Sequence, residues 1–214
     1  MANIYFDTEF TGLRHKTELV SIGVVTEAGY KFYAEISSVN WEDPSIDDDS
    51  KKFLAENVRP YLKFNGQKSA VKKDGNNWTV CDDKFAVGYQ FLLWLDEVMP
   101  SGEDIIPVSD VMYYDMVLLQ DMIKSALTNT SHIESVDNVA KRISPAGIDI
   151  NRDIAINGVM SGEKNELDPL WAFNYSREDI LKDYGDPDGL LDRQEKHNAL
   201  YDAEIIRAIY LKLV

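Results

Sequence analysis

The first residues that could support chemistry are two carboxylates near the start of the chain. Asp7 and Glu9 stand in the apolar segment IYFDTEF, which is typical of a β-strand. Side chains two apart on a strand point the same way, so the two carboxylates share one face about 7 Å apart. Two such charges facing a core repel each other, and hard divalent cations are the usual partner that relieves this. The segment therefore predicts part of a divalent-cation site.

Three further residues could complete that site. Asp115 stands mid-chain in VMYYDMVLL, and His197 and Asp202 stand near the end in HNALYDAEIIRAIYLKL. Four carboxylates and a histidine are the set needed for metal-assisted hydrolysis of a phosphodiester, with the histidine as proton acceptor. Ligands that are all oxygen favour Mg²⁺ or Mn²⁺ over zinc.

The motifs, taken in order, resemble those of the DEDDh 3′–5′ exonuclease superfamily. DTEFTGL resembles the first motif, YD before an apolar helix resembles the second, and His197 followed after four residues by Asp202 resembles the third. This order is similar to that of ribonuclease T, oligoribonuclease and proofreading exonucleases. The segment ELVSIGVV looks most like the small bacterial and bacteriophage 3′–5′ exoribonucleases. The resemblance spans residues 4 to 213.

The resemblance implies a ribonuclease-H-like fold and a two-metal reaction. Asp7, Glu9, Asp115 and Asp202 would hold two Mg²⁺ or Mn²⁺ ions, and His197 would be the general base. Nucleoside 5′-monophosphates would be released from the 3′ ends of single-stranded RNA or short oligonucleotides. A proofreading-like DNA exonuclease is the alternative, because the sequence does not show whether a 2′-hydroxyl is contacted.

The residues around the first motif are expected to contact the substrate. In relatives this segment touches the terminal nucleotide, which assigns Thr8, Thr11, Gly12 and Leu13 to substrate binding, with Leu13 as a wedge against a base. Two alternatives stay open. Thr8 faces away from the carboxylate pair and can be structural, and residues 11–13 can form a plain turn.

Some residues compete for these roles. Asp110 stands five residues before Asp115 and could reach the same site, although the YD context favours Asp115. Relatives often carry His-Asn where this chain has Asp110-Val111, so substrate contacts there are open. The other histidines, His15 and His132, are expected at the surface.

Alternating strands and helices are predicted to position the site. Strands are expected at 3–8, 18–26 and 30–37 as an antiparallel meander, with the third strand half-buried, and at 105–109 and 153–157. Helices are expected up to about Val58, from Asp82 or Asp83 to Val98, from near Asp115 to Leu127, at 177–184 and after Asn198. A peripheral hairpin at 63–81 and an irregular segment at 158–196 complete one domain over 1–214. The class is α/β, a ribonuclease-H-like mixed sheet of about five strands flanked by helices.

Composition restricts the class of protein. The 214 residues, 44% of them hydrophobic, suffice for one folded domain with a core. The sequence holds no run of 18 apolar residues that would predict a membrane span, and MANIYFDTEF lacks a signal-peptide pattern. A single cysteine, Cys81, excludes an intramolecular disulfide and suits the reducing cytoplasm.

The charge balance bears on the partner. A net charge of −15 argues against the binding of long nucleic-acid duplexes, whereas bound ions would supply positive charge at the position of a phosphate. The expected partners are the 3′ ends of single-stranded RNA or DNA, and a homodimer stays open because relatives are often dimers. Two other function classes are a non-catalytic binding module on the same fold and a Ca²⁺-binding protein that uses WEDPSIDDD. That loop lacks the glycine and the glutamate spacing of an EF-hand.

Overall fold

A mixed sheet of seven strands runs through the residues that the computed structural model describes, which are 1–14, 16–64, 69–99, 101–129, 134–154, 176–186, 188–193 and 195–214. The strands are β1 Ala2–Phe10, β2 Leu19–Thr26, β3 Lys31–Ile36, β4 Ala70–Asp74, β5 Asn77–Asp82, β6 Ile105–Ser109 and β7 Ile148–Asp149. Their order across the sheet is β4-β5-β3-β2-β1-β6-β7. The fold is therefore the predicted α/β class, and it is compatible with a ribonuclease-H-like mixed sheet.

Helices cover both faces of this sheet. They are α1 Asp48–Phe53, α2 Lys84–Val98, α3 Met112–Asn129, α4 Glu134–Arg142, α5 Arg177–Tyr184 and α6 Ala199–Leu213. Helices α2, α3 and α4 pack on one face, and α5 and α6 pack on the other. After α1 the chain continues as a π-helix, Leu54–Val58, and a 3-10 turn, Arg59–Tyr61. No helix among the described residues combines the length and apolar character needed to cross a membrane.

Strand β1 lies inside the sheet, antiparallel to β2 and parallel to β6. Its side chains alternate, so that Phe6 enters the core under α2 and α3 whereas Tyr5 packs with α6. By the same alternation Asp7 and Glu9 face α6. Gly23 pairs with Asp7, and the backbone of α6 at Ala199 passes so close that no β-carbon fits at Gly23. This glycine therefore lets the start of α6 approach the carboxylates.

Several predicted elements are confirmed. The antiparallel meander of β1, β2 and β3 forms as expected, and β6 and α5 have the predicted bounds. Asp83 caps α2, because its side chain accepts from the backbone N–H of Ala86 at 2.9 Å. Asn198 caps α6 by accepting from the N–H groups of Leu200 and Tyr201.

The hairpin predicted at 63–81 contains β4 and β5, which lie at one edge of the sheet, where β5 pairs in parallel with β3. Two expectations about other elements are wrong. Strand β3 is not half-buried, since α6 packs against Tyr33 and residues 63–64 lie against Tyr33 and Glu35 on its second face. The predicted strand at 153–157 is helical at 153 and 154, and residues 155–157 lie outside the described ranges. Ile150 and Ile154, buried at a spacing of four, belong to this helical segment, and the strand that pairs with the outer edge of β6, opposite β1, is β7. Within the irregular segment predicted at 158–196, residues 158–175 are also outside the described ranges.

Candidate metal and active site

A cleft of about 560 Å³ opens where β1 and β6 meet the beginnings of α5 and α6. Four of the five predicted catalytic residues line it: Asp7, Glu9, His197 and Asp202. Asp115, the fifth, lies beside them in the first turn of α3 and is 1% exposed. The fold thus brings residues from both ends and the middle of the chain to one cleft.

The acidic side chains of the cleft form two groups. One ligand atom from each of Asp7, Asp110 and Asp115 lies within 4.8 Å of the other two. Glu9, His197 and Asp202 form a second group by the same measure. Carboxylate oxygens dominate both groups, and this donor chemistry fits hard divalent cations such as Mg²⁺ and Mn²⁺. The residues present therefore fit the two ions that the motif resemblance implies.

Hydroxyl groups hold the Asp115 carboxylate in place. Thr8 donates to Oδ1 of Asp115 at 2.6 Å, and the Ser109 hydroxyl donates to Oδ2. Thr8 stands on the face of β1 opposite the Asp7 carboxylate, and Ser109 ends β6. Helix α3 begins three residues earlier than expected, so Asp115 lies within its first turn rather than opening it.

His197 has an unusual backbone conformation immediately before α6. Its φ angle of +66° is in the left-handed region, which costs of the order of 1–3 kcal/mol for a residue other than glycine. This conformation lets its backbone N–H donate to Oδ2 of Asp202 at 2.9 Å. The imidazole Nδ1 lies 3.9 Å from Oε1 of Glu9, and the Phe53 ring meets the imidazole edge to face at 5.1 Å between centroids. The left-handed backbone conformation thus places the imidazole beside the carboxylates.

Burial and mutual repulsion disfavour the ionised form of the carboxylates. Burial, followed by the charges of neighbouring carboxylates, raises the pKa of Asp7 and of Glu9 well above their usual values. Burial likewise raises the pKa of Asp115 to about 7 and that of Asp202 to about 8. Burial and the neighbouring Lys196 have the opposite effect on the His197 imidazole, since they lower its pKa. Bound cations would stabilise the ionised carboxylates and oppose these increases.

The metal-free protein should lose stability as the pH rises from about 5 to 8.5. A carboxyl whose pKa is raised on folding stabilises the fold fully below its unfolded pKa of about 4. That stabilisation is lost as the pH passes the folded values of about 7 for Asp115 and about 8 for Asp202. Thermal unfolding followed by circular dichroism in EDTA would measure the fall in melting temperature.

Two comparisons isolate the contribution of the site to this pH dependence. Mg²⁺ should raise the melting temperature more at pH 8 than at pH 6, since it binds the ionised carboxylates of the folded state. The Asp7→Asn variant should show a shallower fall in EDTA. A wild-type melting temperature that stays constant or rises over this range would contradict the raised pKa values.

The segment predicted to contact substrate divides into buried and exposed residues. Thr8 lines the cleft, but its hydroxyl is bonded to Asp115. Thr11 is fully buried, and its hydroxyl accepts from the backbone N–H of Glu18 at 2.9 Å. Leu13 is 69% exposed and, with Gly12, lines a second cavity of about 630 Å³. Substrate contact by Gly12 and Leu13 stays a prediction, whereas the two threonine hydroxyls are used within the protein.

This second cavity continues from the cleft and is largely apolar. The two share Glu9 and the side chains of Phe10, Phe53 and Val111. An apolar extension beside a carboxylate centre is suited to a nucleobase whose phosphate lies in the cleft.

Sequence patterns did not reveal Phe53 and Arg177, which line the cleft, or Asn151, whose amide donates to the backbone carbonyl of Asp110. Phe53 ends the short helix α1, and Arg177 begins α5 directly after its N-cap Ser176. The cap marks where the helix starts but not what it faces. His15 and His132, the alternative histidines, lie outside the described residues.

Comparison with known proteins gives no assignment. The chain matches no protein-family model, and none of the curated proteins matches it. A functional assignment therefore depends on the residues of the cleft and their geometry.

Proposed function

We propose that the protein is a metal-dependent 3′–5′ exonuclease of the DEDDh type that releases nucleoside 5′-monophosphates from single-stranded RNA or short oligonucleotides. The observation that carries the proposal is the meeting of Asp7, Glu9, Asp115, His197 and Asp202 at one cleft. These are the residues of the three motifs, and no local feature of the chain requires them to be close.

Each residue has a role in the proposed reaction. Two divalent ions, when bound, would supply Lewis acidity and offset the charge of the phosphate. Asp7, Glu9, Asp115 and Asp202 would hold them. His197 would take the proton of the attacking water, and burial favours this role because it keeps the imidazole neutral near neutral pH.

The substrate class follows from charge and shape. The acidic cleft offers a long duplex few cations, and the net charge of −15 adds to the repulsion. A short 3′ end needs contacts to only a few phosphates, and the apolar second cavity beside the cleft can take a base. A DNA exonuclease of the proofreading kind remains the second candidate. With its single cysteine the chain can form no internal disulfide, and we place the enzyme in the reducing cytoplasm.

Two other function classes have less support. In the acidic loop, Asp47 caps α1 by accepting from Ser50, and Asp43 accepts from Ser45. These two carboxylates are thus used in local structure, which disfavours a Ca²⁺ loop. A non-catalytic module is disfavoured because binding alone would not require the complete set of five motif residues at one cleft.

Incubation with 5′-labelled oligonucleotides tests the proposal directly. With Mg²⁺ or Mn²⁺, a labelled single strand should shorten as a ladder from its 3′ end, and EDTA should abolish the reaction. RNA and DNA strands of the same sequence, single- and double-stranded, would be compared in parallel.

A circular single strand is the matched control, since it offers no 3′ end. It should survive under conditions that degrade the linear strand. Cleavage of the circle would show an endonuclease, and full activity in EDTA would rule out the metal mechanism.

A further inference from the structure

Asp110 and Glu178 are acidic residues of the cleft to which the motif resemblance assigns no role, and Asp110 is the one that lies beside the predicted metal-binding residues. It follows β6, and one of its oxygens lies within 4.8 Å of ligand atoms of both Asp7 and Asp115. Asp110 lines the open cleft, whereas Asp115 is 1% exposed and already accepts hydrogen bonds from two hydroxyl groups. Asp110 is therefore well placed to bind a cation that enters the cleft.

Arg177 and Asn151 fix Asp110 through a closed ring of three hydrogen bonds. The guanidinium Nε of Arg177 donates to Oδ2 of Asp110 at 2.8 Å, and its Nη2 donates to Oδ1 of Asn151. The Asn151 amide in turn donates to the backbone carbonyl of Asp110. The ring thus holds both the backbone and the side chain of Asp110. A carboxylate has about four lone-pair sites, so this bond leaves acceptor capacity for a cation.

The charge balance of the site also supports a metal-binding role for Asp110. Two divalent ions carry four positive charges, and Asp7, Glu9, Asp110, Asp115 and Asp202 together carry five negative ones. The positively charged guanidinium of Arg177 beside Asp110 offsets the remaining negative charge. Glu178, a further carboxylate of the cleft, pairs instead with Lys196 at 3.6 Å.

We propose that Asp110 is a fifth metal-binding carboxylate of the cleft and that Arg177 and Asn151 are positioning residues that hold it beside Asp7. The inference rests on the two-metal site of the proposed function. It deepens that function, because it adds a metal-binding residue where the motif pattern has none.

Calorimetric titration of Mn²⁺ into the metal-free full-length protein tests this without substrate. Arg177→Ala should weaken Mn²⁺ affinity about 10–100-fold, the usual effect of losing a residue that orients a metal ligand. Asp110→Asn removes the ligand itself and should weaken the affinity at least as much. Arg177→Lys should lose most of the affinity too, because an ammonium group lacks the planar fork that reaches both Asp110 and Asn151. Arg152→Ala is the matched control, since Arg152 is exposed next to Asn151 and should bind Mn²⁺ as the wild type does.

The double variant Asp110→Asn/Arg177→Ala decides whether Arg177 acts through Asp110. If it does, the double variant should bind Mn²⁺ no more weakly than Asp110→Asn alone. Additive losses would overturn the positioning role, and so would wild-type affinity in Arg177→Ala. Wild-type affinity in Asp110→Asn would overturn the ligand role. If Arg177→Ala fails to fold, Arg177→Lys gives the same decision.

Nuclease assays of the same proteins separate this inference from the proposed function. Weakened Mn²⁺ binding in a protein that degrades no oligonucleotide would remove the exonuclease proposal and keep the role of Asp110. Robust 3′–5′ degradation together with unaltered Mn²⁺ binding in both single variants would keep the exonuclease proposal and remove the role of Asp110.

Discussion

Asp7→Asn should abolish turnover while making the metal-free protein more stable. Burial and the charges of four acidic neighbours together raise the pKa of Asp7. An uncharged amide of the same size therefore relieves repulsion in the absence of metal. The same change removes a metal-binding carboxylate that lies within 4.8 Å of both Asp115 and Asp110. Metal-ion catalysis contributes several kcal/mol, so the rate should fall about 10³-fold or more.

Three measurements on the purified variant test this. In EDTA the melting temperature should rise, by about 2–4 °C for each kcal/mol of repulsion relieved. The increase caused by Mg²⁺ should largely disappear, and oligonucleotide degradation should be lost. Asp96→Asn, at an exposed position on α2, is the matched control and should leave all three unchanged. Wild-type turnover in Asp7→Asn would refute the assignment of the site.

His197→Ala should slow the reaction about 10²–10⁴-fold, the usual contribution of a general base. Binding of Mn²⁺ should largely survive, because the carboxylates remain. In the wild type at saturating metal, activity should fall on the acid side as the imidazole is protonated. The lowered pKa places this limb below the ordinary histidine value of about 6.5.

Backbone strain requires a second variant at this position. Alanine is disfavoured at a φ of +66°, whereas asparagine tolerates the left-handed region and cannot act as the base. His197→Asn should therefore lose as much rate as His197→Ala with less effect on melting temperature. Asp202→Ala, in contrast, should weaken Mn²⁺ binding together with turnover. If either His197 variant loses Mn²⁺ affinity in the same way, the imidazole is a ligand rather than the base.

The sequence by itself determined the class of fold and the positions of the principal carboxylates. Strands β2 and β6 are mostly apolar, and α6 begins at an Asn cap followed by apolar residues at helical spacing, so local patterns suffice for them. The two-residue period of β1 likewise fixed Asp7 and Glu9 to one face. These features depend on neighbours in the chain, which a sequence displays directly.

Only the tertiary structure decided what surrounds those carboxylates. The bond from Thr8 to Asp115, the ring contact of Phe53 with His197 and the ion pair of Arg177 with Asp110 each join segments far apart in sequence. Such contacts follow from how strands and helices pack, and hydrophobic periodicity carries no record of the polar partner across a cleft. Tertiary packing also settled the pairing of β5 with β3 and the helical turn at 150–154. Residues four apart lie on the same side of a strand and of a helix, so the apolar pattern of Ile150 and Ile154 fits either element, and in the folded chain they form a helix with both side chains buried.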